Sequence, residues 1–333
     1  MKNLLGILGS ILTSVLIFFL LLWGTLAIYF SNLPALALRI VLAIIFLAFG
    51  IWAFWINKNP RWIYLFAITY AFLLAWWMTI KPTHKRNWRP EVSVMPRVTI
   101  NGDSIHIKGY RHFDYRSYTD FTAHFEDRDY LLSHLTSVDF FISYWQVGPV
   151  GHTFVSFNFD NALPLCISIE TRPEVGEGFS PIASLFKQFE LIYVVGDERD
   201  IVGVRTNHRH EEVYLYPIRI SAENARTLLL IYLSRINELA DKPEFYHLLS
   251  NSCTINIIRY ANKAGRTGGF NLYHFLNGFI DQYLYGRGFI NTKMPFGELR
   301  KLSKINGVAQ AGDAEHSPDF SKHIRANLPK VEE

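Results

Sequence analysis

Residues 150–170, VGHTFVSFNFDNALPLCISIE, contain two short runs in which polar and apolar side chains largely alternate, and these predict neighbouring antiparallel strands. The first run covers residues 152–159 and the second covers residues 165–170. The polar segment 160–164 between them is typical of a turn. The stretch therefore predicts a β-hairpin.

The register of this hairpin decides which side chains share a face. If Phe159 pairs with Leu163, His152 stands directly opposite Glu170, where side chains interact across strands. The face that we expect to be buried carries the apolar side chains Val155, Phe157, Phe159, Leu165, Ile167 and Ile169. The other face carries His152, Ser156, Ser168 and Glu170. On this face the carboxylate is expected to orient the imidazole ring.

The sequence around the hairpin predicts one mixed domain, residues 97–312. Short runs rich in β-branched and aromatic residues predict strands at 138–145, 191–195 and 213–218, and a hairpin at 98–107 that turns at Asn101-Gly102. Helices are predicted later in the chain, at 222–240 after the capping residue Ser221 and at 253–263 before Gly265. Strands followed by helices indicate the α+β fold class.

The buried faces of the two predicted helices follow from their apolar spacing. The first is expected to bury Ala225, Leu228, Leu229, Tyr232, Leu233, Ile236 and Leu239, and the second Ile255, Ile258 and Ala261. Residues 313–333 lose the apolar period, and we expect a polar, loosely packed C-terminal tail there.

The N-terminal segment 1–82 predicts a membrane anchor of three transmembrane helices. No charged residue occurs from Leu4 to Leu38, and Ser31 to Pro34 divide this run into two crossings. The predicted helices cover about residues 5–30, 35–56 and 62–80, followed by a basic linker at 83–96. The alternative, a cleaved signal peptide followed by core helices, is disfavoured because signal peptides have one apolar region of only about 7 to 15 residues.

Composition restricts the partners that we expect. The formal net charge of the 333 residues is only +4, and the basic excess lies beside the predicted anchor, which favours a lipid bilayer and gives no indication of nucleic acid. Lysine and arginine on both sides of the anchor leave the membrane topology undecided. The two cysteines, Cys166 and Cys253, are too few for a disulfide scaffold.

Cys253 is the candidate nucleophile. Ser250, Asn251 and Ser252 are cap-type residues just before the predicted helix, so Cys253 falls in its first turn, where backbone N–H groups favour a thiolate and can hold an oxyanion. With His152 as the base and Glu170 as the group that orients the imidazole ring, these residues form the combination that activates a thiol nucleophile. In the alternative interpretation, Cys253 is an inert buried thiol and His152 an ordinary sheet residue.

Other polar residues suggest weaker candidates. His208 and His210 lie in a polar turn where histidines are usually solvated, and no metal or cofactor is predicted. Residues 197–200, DERD, favour a salt-bridged loop over an acid–base pair. The candidates for substrate binding are Arg111, Tyr115, Arg172, Arg205 and Asn251.

The chain resembles the Lnb N-terminal periplasmic domain family over about residues 105–328. The resemblance is carried by GHTFVSF around His152, SIETRPE around Glu170, DERD at 197–200, RT at 205–206, VYLYP at 213–217, PEFY at 243–246 and NSCT around Cys253. Ser252 and Ile255 depart from the asparagine and threonine that the family usually has there.

The resemblance implies a circularly permuted, papain-like fold of the NlpC type, in which the histidine precedes the cysteine. It implies a thiol acyltransferase or acyl hydrolase, of which a bacterial lipoprotein transacylase is the family example, with Cys253, His152 and Glu170 as the catalytic residues. It also implies that the domain lies outside the cytoplasm of a bacterial inner membrane and acts on a lipid-linked or lipoprotein substrate. A thiol amidase or peptidase of envelope peptides or peptidoglycan, or a non-catalytic assembly protein, remains the alternative.

Overall fold

The computed structural model describes residues 2–57, 59–146, 148–266, 268–269, 271–314 and 319–329. The chain divides into two compact units. The first consists of Met1–His84 together with Gly178–Glu190, and the second of Lys85–Glu177 together with Leu191–Glu333.

The described residues of the first unit form three long apolar helices, α1 (Lys2–Tyr29), α2 (Leu36–Ile51) and α3 (Pro60–Thr79). A π-helical turn, Trp52–Ile56, extends α2, and each helix is long and apolar enough to cross a bilayer. The Asn59 side chain accepts a hydrogen bond from the Arg61 amide and so caps α3. These helices confirm the predicted apolar spans.

The helices pack through aromatic, leucine and small side chains. Their shared core contains Leu21, Ile28, Ala43, Phe46, Ala53, Phe66 and Leu73. Gly50 permits a close approach, because a Cβ atom there would lie 2.1 Å from Cδ2 of Leu21. Small residues at such crossings are typical of membrane helix packing.

In the second unit, the described strands form one mixed sheet of eight strands and a separate two-stranded ribbon. The strands are β1 (Arg97–Asn101), β2 (Ser104–Arg111), β3 (Asp114–Tyr115), β4 (Phe121–Thr122), β5 (Phe125–Leu131), β6 (Leu135–Tyr144), β7 (His152–Phe159), β8 (Leu165–Arg172), β9 (Glu190–Gly196) and β10 (Glu212–Pro217). The sheet order is β1-β2-β9-β8-β7-β6-β10, β5 pairs with β2, and β3 pairs with β4.

The central hairpin has the predicted register. Phe157 pairs with Leu165 and Phe154 with Ser168, so the same register continued to the strand ends sets His152 against Glu170. The expectation that only the apolar face of the hairpin is buried is wrong. Phe154, Ser156 and Ser168, on the face that carries His152, are also buried. Both faces of the sheet are covered by helices or loops, as in many mixed folds.

The described helices of this unit are α4 (Glu198–Ile201), α5 (Ala222–Asp241), α6 (Cys253–Lys263), α7 (Ile280–Gly286), α8 (Phe296–Ser303), α9 (Asn306–Ala314) and α10 (Phe320–His323). Helix α5 confirms its prediction, including the predicted buried face and a cap in which Ser221 accepts from the Asn224 amide. Helix α6 begins and ends where predicted, but Ile255 and Ala261 are only half-buried. The buried residues of α6 include Thr254, Asn256 and Ile257 instead.

The prediction of a loosely packed tail is wrong for residues 319–329. Phe320 and Ile324 are buried in the core that also contains Phe141 and Phe154. Arg325 donates from Nε to Asp139 at 2.9 Å and from Nη1 to Glu198 at 2.7 Å. Residues 315–318 and 330–333 of the predicted tail lie outside the described residues.

Candidate functional site

Cys253 is the first residue of α6, and its side chain is almost completely buried, with 2% of its surface exposed. The turn before it is held by Asn251, whose Nδ2 donates to the Phe245 carbonyl at 3.0 Å and whose Oδ1 accepts from Asn256 at 3.0 Å. Since Asn256 lies one helical turn after the cysteine, these bonds fix the start of α6. The thiol therefore has a defined position at the positive end of the helix.

His152 begins β7, the strand against which α6 packs. Its Nε2 atom lies 2.7 Å from Oγ of Ser168 and 4.0 Å from Oε1 of Glu170. The ring also stacks on Phe154, with 5.7 Å between ring centroids. Contacts with Ser168 and Glu170 hold the ring at Nε2, and the same side chain hydrogen-bonds Cys253.

Glu170 is fixed from behind by Arg205, whose Nη2 donates to Oε1 at 2.8 Å. Arg205 is in turn held by the Ile201 carbonyl at 2.6 Å and lies 4.9 Å from the centre of the Phe154 ring. Burial acts to raise the pKa of Glu170, but the positive charges of Arg205 and His152 outweigh it and hold this pKa far below its ordinary value. Glu170 is therefore a carboxylate beside the imidazole ring of His152.

The pKa of the Cys253 thiol is lowered at this site. Burial acts to raise this pKa. The charge and hydrogen bonding of His152 and the hydrogen bonds from Thr153 act in the opposite direction and outweigh burial, so that the pKa falls to about 6. The ordinary pKa of a cysteine is about 8.5. At neutral pH the side chain is therefore mainly a thiolate, which is the nucleophilic form.

A tyrosine hydroxyl group lies near the sulfur atom of Cys253. Tyr246 Oη lies 3.9 Å from Sγ of Cys253, and its pKa is well above the ordinary value because the ring is buried. Tyr246 is therefore a protonated donor beside the sulfur. An O–H group and the free N–H groups of a helix start are the donors that an oxyanion requires.

A network of polar side chains connects α6 to the beginning of β7. Thr254 Oγ1 lies 2.8 Å from Oγ1 of Thr153 and accepts from Nδ2 of Asn277 at 2.9 Å. The same Asn277 side chain exchanges hydrogen bonds of 2.9 and 2.7 Å with the backbone N–H and C=O of Gly151. Because Gly151 immediately precedes His152, the network fixes the histidine relative to the helix that carries the thiol.

The structure therefore brings Cys253, His152 and Glu170 together. Arg205 joins them as the partner of Glu170. The sequence identified Arg205 only as a possible anion-binding residue, and it placed Ser168 on the same face without giving it a role. The contact of Arg205 with Glu170 joins two elements that are separate in the sequence, so the local sequence does not predict it. Strand parity did indicate that Ser168 shares a face with His152.

The other residues predicted to bind substrate make contacts that stabilise the fold. Arg111 forms two hydrogen bonds with Asp200, at 2.9 and 2.6 Å, and is buried. Arg172 donates to the carbonyl of Val92 at 2.8 Å and lies 4.4 Å from the centre of the Trp88 ring.

Asn251 and Tyr115 complete this group of predicted residues. Asn251 orders the turn before Cys253, as described above. Burial raises the pKa of Tyr115 to about 12, and its hydroxyl group has no hydrogen-bond partner among the described residues.

The second cysteine differs sharply from the first. Cys166 is fully buried in the strand core, and burial holds the pKa of its thiol well above the ordinary value. Both cysteines are described and both are free thiols. Cys166 is thus an internal comparison for the reactivity of Cys253.

The described residues contain no group of three or more His, Cys, Asp or Glu side chains placed to hold a metal ion. His210 adopts a positive φ of 53° in the turn before β10. Neither His208 nor His210 belongs to the cluster around Cys253, and the cluster itself consists of groups suited to proton transfer and nucleophilic attack.

Long apolar helices followed by an α+β sheet domain define a membrane protein with a folded domain attached. Residues 121–279 match the model of the Lnb N-terminal periplasmic domain. The match includes Cys253, His152 and Glu170 but not Arg111 or Tyr115. The match indicates a periplasmic, envelope-related domain. No curated protein and no solved structure matches the chain.

Proposed function

We propose that the protein is a membrane-anchored envelope thiol acyltransferase or acyl hydrolase that acts on lipid-linked substrates. The observation that carries the proposal is the Cys253 thiol, whose pKa is lowered to about 6 by His152 and Thr153 although the side chain is buried. A purely structural cysteine in such surroundings has a raised pKa, as Cys166 does.

In the first half of the proposed reaction, the Cys253 thiolate attacks the carbonyl carbon of an ester. A C–S bond forms, and the carbonyl electron pair moves to oxygen, where Tyr246 and the N–H groups at the start of α6 stabilise the negative charge. The C–O bond then breaks, and protonated His152 gives its proton to the leaving alcohol. The product is a thioester on Cys253.

In the second half, an amine or a water molecule attacks the thioester carbon. His152 takes the proton of the attacking group, the C–S bond breaks, and the Cys253 thiolate is restored with an amide or a free acid as product. Ser168 and Glu170 hold the imidazole during both halves, and Arg205 keeps Glu170 ionised. Attack by an amine of a lipoprotein would make the reaction a transacylation.

The relation between α6 and β7 supports a papain-like arrangement for this domain. The helix begins at the cysteine and packs on the strand that carries the histidine, while the histidine comes first in the chain. A circular permutation of a papain-like, NlpC-type enzyme would give this order. The proposal includes this fold relationship.

The apolar helices support a site in the envelope of a bacterium. We propose that they cross the inner membrane as a multi-pass anchor with the sheet domain on the periplasmic side, since the matched family is periplasmic. Acyl chains seldom leave a bilayer, and an anchored enzyme remains in the same membrane as such substrates.

The proposal is tested by comparing cells that lack the protein with cells that express the wild type, Cys253→Ser, His152→Ala or Cys166→Ser. Mass spectrometry of membrane lipoproteins should show a lyso, N-acylated form with the wild type and with Cys166→Ser, and loss of that form with the other two variants. Folding of each variant is checked by thermal unfolding of the purified protein.

Lipoprotein acylation that is unchanged between wild-type and deletion cells would contradict the acyl-transfer proposal. If the wild type instead cleaves envelope peptides or peptidoglycan and Cys253→Ser does not, the same residues serve an amidase or peptidase. Wild-type function in both Cys253→Ser and His152→Ala would favour a non-catalytic assembly role.

A further inference from the structure

The segment that connects β8 to β9 packs on the apolar helices of the first unit. This segment, residues 178–190, belongs to that unit rather than to the sheet domain in which its ends are anchored. Its Phe186 ring stacks on Phe30 after the end of α1, with 5.8 Å between centroids, and lies 6.4 Å from Trp23. We call residues 178–190 the connecting loop.

Polar contacts attach the connecting loop to the end of α3. Lys187 Nζ donates to the carbonyl oxygens of Trp77 at 2.8 Å and Ile80 at 3.1 Å, and it lies 4.3 Å from the centre of the Trp77 ring. Both carbonyls lie at the C-terminus of α3, where the Trp77 carbonyl also accepts from the Ile80 amide at 3.3 Å, and a lysine is suited to interact with such terminal carbonyls. Farther along, Glu190 accepts from the Thr83 amide at 3.2 Å.

These contacts define the level of the loop along the spans. Candidate spans end at Tyr29 for α1 and Thr79 for α3, and an aromatic side chain near each end, Phe30 and Trp77, contacts the loop. Tryptophan and tyrosine at the end of an apolar span are typical of the boundary between hydrocarbon and headgroups. The loop therefore lies at the boundary of the bilayer that the helices cross in the proposed membrane anchor, and the inference below rests on that anchor.

The side chains of the loop divide into an inner and an outer set. Ala183, Ser184 and Phe186 are buried. Phe179 and Ile182 point outward, with 48% and 52% of their surface exposed. Apolar side chains exposed at the level of an aromatic belt contact lipid rather than bulk water.

We infer that the connecting loop is a membrane-interface loop, in which Phe179 and Ile182 insert into the interfacial region of the lipid bilayer. Its partner is the bilayer, and the recognition is apolar burial. Lys187 and Phe186 hold the loop on the helices so that its outer side faces lipid. The inference is independent of the chemistry at Cys253.

The test uses the full-length protein with Cys253→Ala, in nanodiscs of phosphatidylethanolamine and phosphatidylglycerol. A single new cysteine is introduced by Ile182→Cys or, separately, by Phe179→Cys, and is labelled with an environment-sensitive fluorophore. Cys166 stays unlabelled because it is fully buried, and the parent protein without a new cysteine measures any background. The matched control is Leu163→Cys in the turn between β7 and β8, where the native side chain is also 45% exposed.

Lipids that carry a nitroxide near the headgroup should quench the fluorophore at positions 182 and 179 at least severalfold more than at position 163. The emission at 182 and 179 should also be shifted to shorter wavelength. Quenching at 182 and 179 that is no greater than at 163 would overturn the inference. Because every protein in the test lacks the Cys253 thiol, the result does not depend on the proposed enzymatic function.

Discussion

Replacement of His152 by alanine should abolish the activation of Cys253. With a pKa of about 6, the wild-type thiol is about nine-tenths thiolate at pH 7. Without the imidazole, burial dominates and the pKa should rise to about 8.5 or above, where at most about 3% is thiolate at pH 7. The thiolate population should therefore fall about 30-fold or more.

The assay is the rate of alkylation of Cys253 by iodoacetamide between pH 4.5 and pH 10, followed by mass spectrometry of the cysteine-containing peptides. Because the folded pKa is depressed, the thiolate is present above about pH 6 and is lost as the pH falls through this value. The wild-type rate should have its inflection near pH 6, and the His152→Ala rate near pH 8.5 or higher. Inflection points are compared because the intrinsic nucleophilicity of a thiolate also changes with its pKa.

Cys166 is the control within the same molecule, since it is buried and its pKa is raised. It should stay unmodified in both proteins, and modification of Cys166 in either would report unfolding. An unchanged inflection near pH 6 in folded His152→Ala would refute the assignment of His152 as the group that activates Cys253.

Other substitutions test the support of the site and the packing of the domain. Glu170→Gln leaves the buried Arg205 guanidinium with only the more distant carboxylate of Glu211, at 3.9 Å, and should lower the free energy of unfolding by about 3 kcal/mol, measured by denaturant titration in detergent; a loss below about 1 kcal/mol would contradict the pairing. Gly278→Ala puts a Cβ atom 2.6 Å from the backbone of Pro149, and should slow alkylation of Cys253 by displacing the segment before His152; a wild-type rate would count against that contact. Phe320→Ala should cost about 3–5 kcal/mol by the same titration, whereas the loosely packed tail expected from sequence predicts almost no loss.

The parts of the fold that the sequence predicts well are those with a strong local signal. The hairpin of β7 and β8 has its predicted register because alternation and a short turn restrict the pairing. Helix α5 begins at its predicted residue because the Ser221 side chain caps it. Helix α6 also begins where predicted, but the Ser252 side chain at its N-cap makes no capping hydrogen bond. Apolar length alone was sufficient for the helices of the first unit.

The parts that the sequence misses have weak local signals. Strand β5 reads FEDRDYL, and only Tyr130 in it is buried, so neither alternation nor hydrophobicity marks it. Helices α7 to α10 are short, and helices of that length depend on tertiary contacts rather than on their own propensity. The tail was misjudged because one phenylalanine, one isoleucine and a paired arginine are sufficient to dock it, as Phe320, Ile324 and Arg325 do.

The candidate site was predicted in its central residues but not in its supporting contacts. Residue type and helix position suggested Cys253, and strand parity suggested His152 and Glu170. Arg205 and Tyr246 were not assigned their roles, because each reaches the site from an element whose position the local sequence does not determine. Their contacts, at 2.8 Å to Glu170 and 3.9 Å to the sulfur, are properties of the tertiary structure.

The central claim is that Cys253 becomes acylated during the reaction. The most direct measurement is the intact mass of the purified full-length protein after incubation with a diacylated lipopeptide in detergent and a rapid acid quench. The account predicts an added acyl mass that maps to Cys253, is released by hydroxylamine as a thioester should be, and is missing from Cys253→Ala but present in Cys166→Ser. An acyl adduct that persists in Cys253→Ala, or no adduct on the wild type while product accumulates, would contradict it.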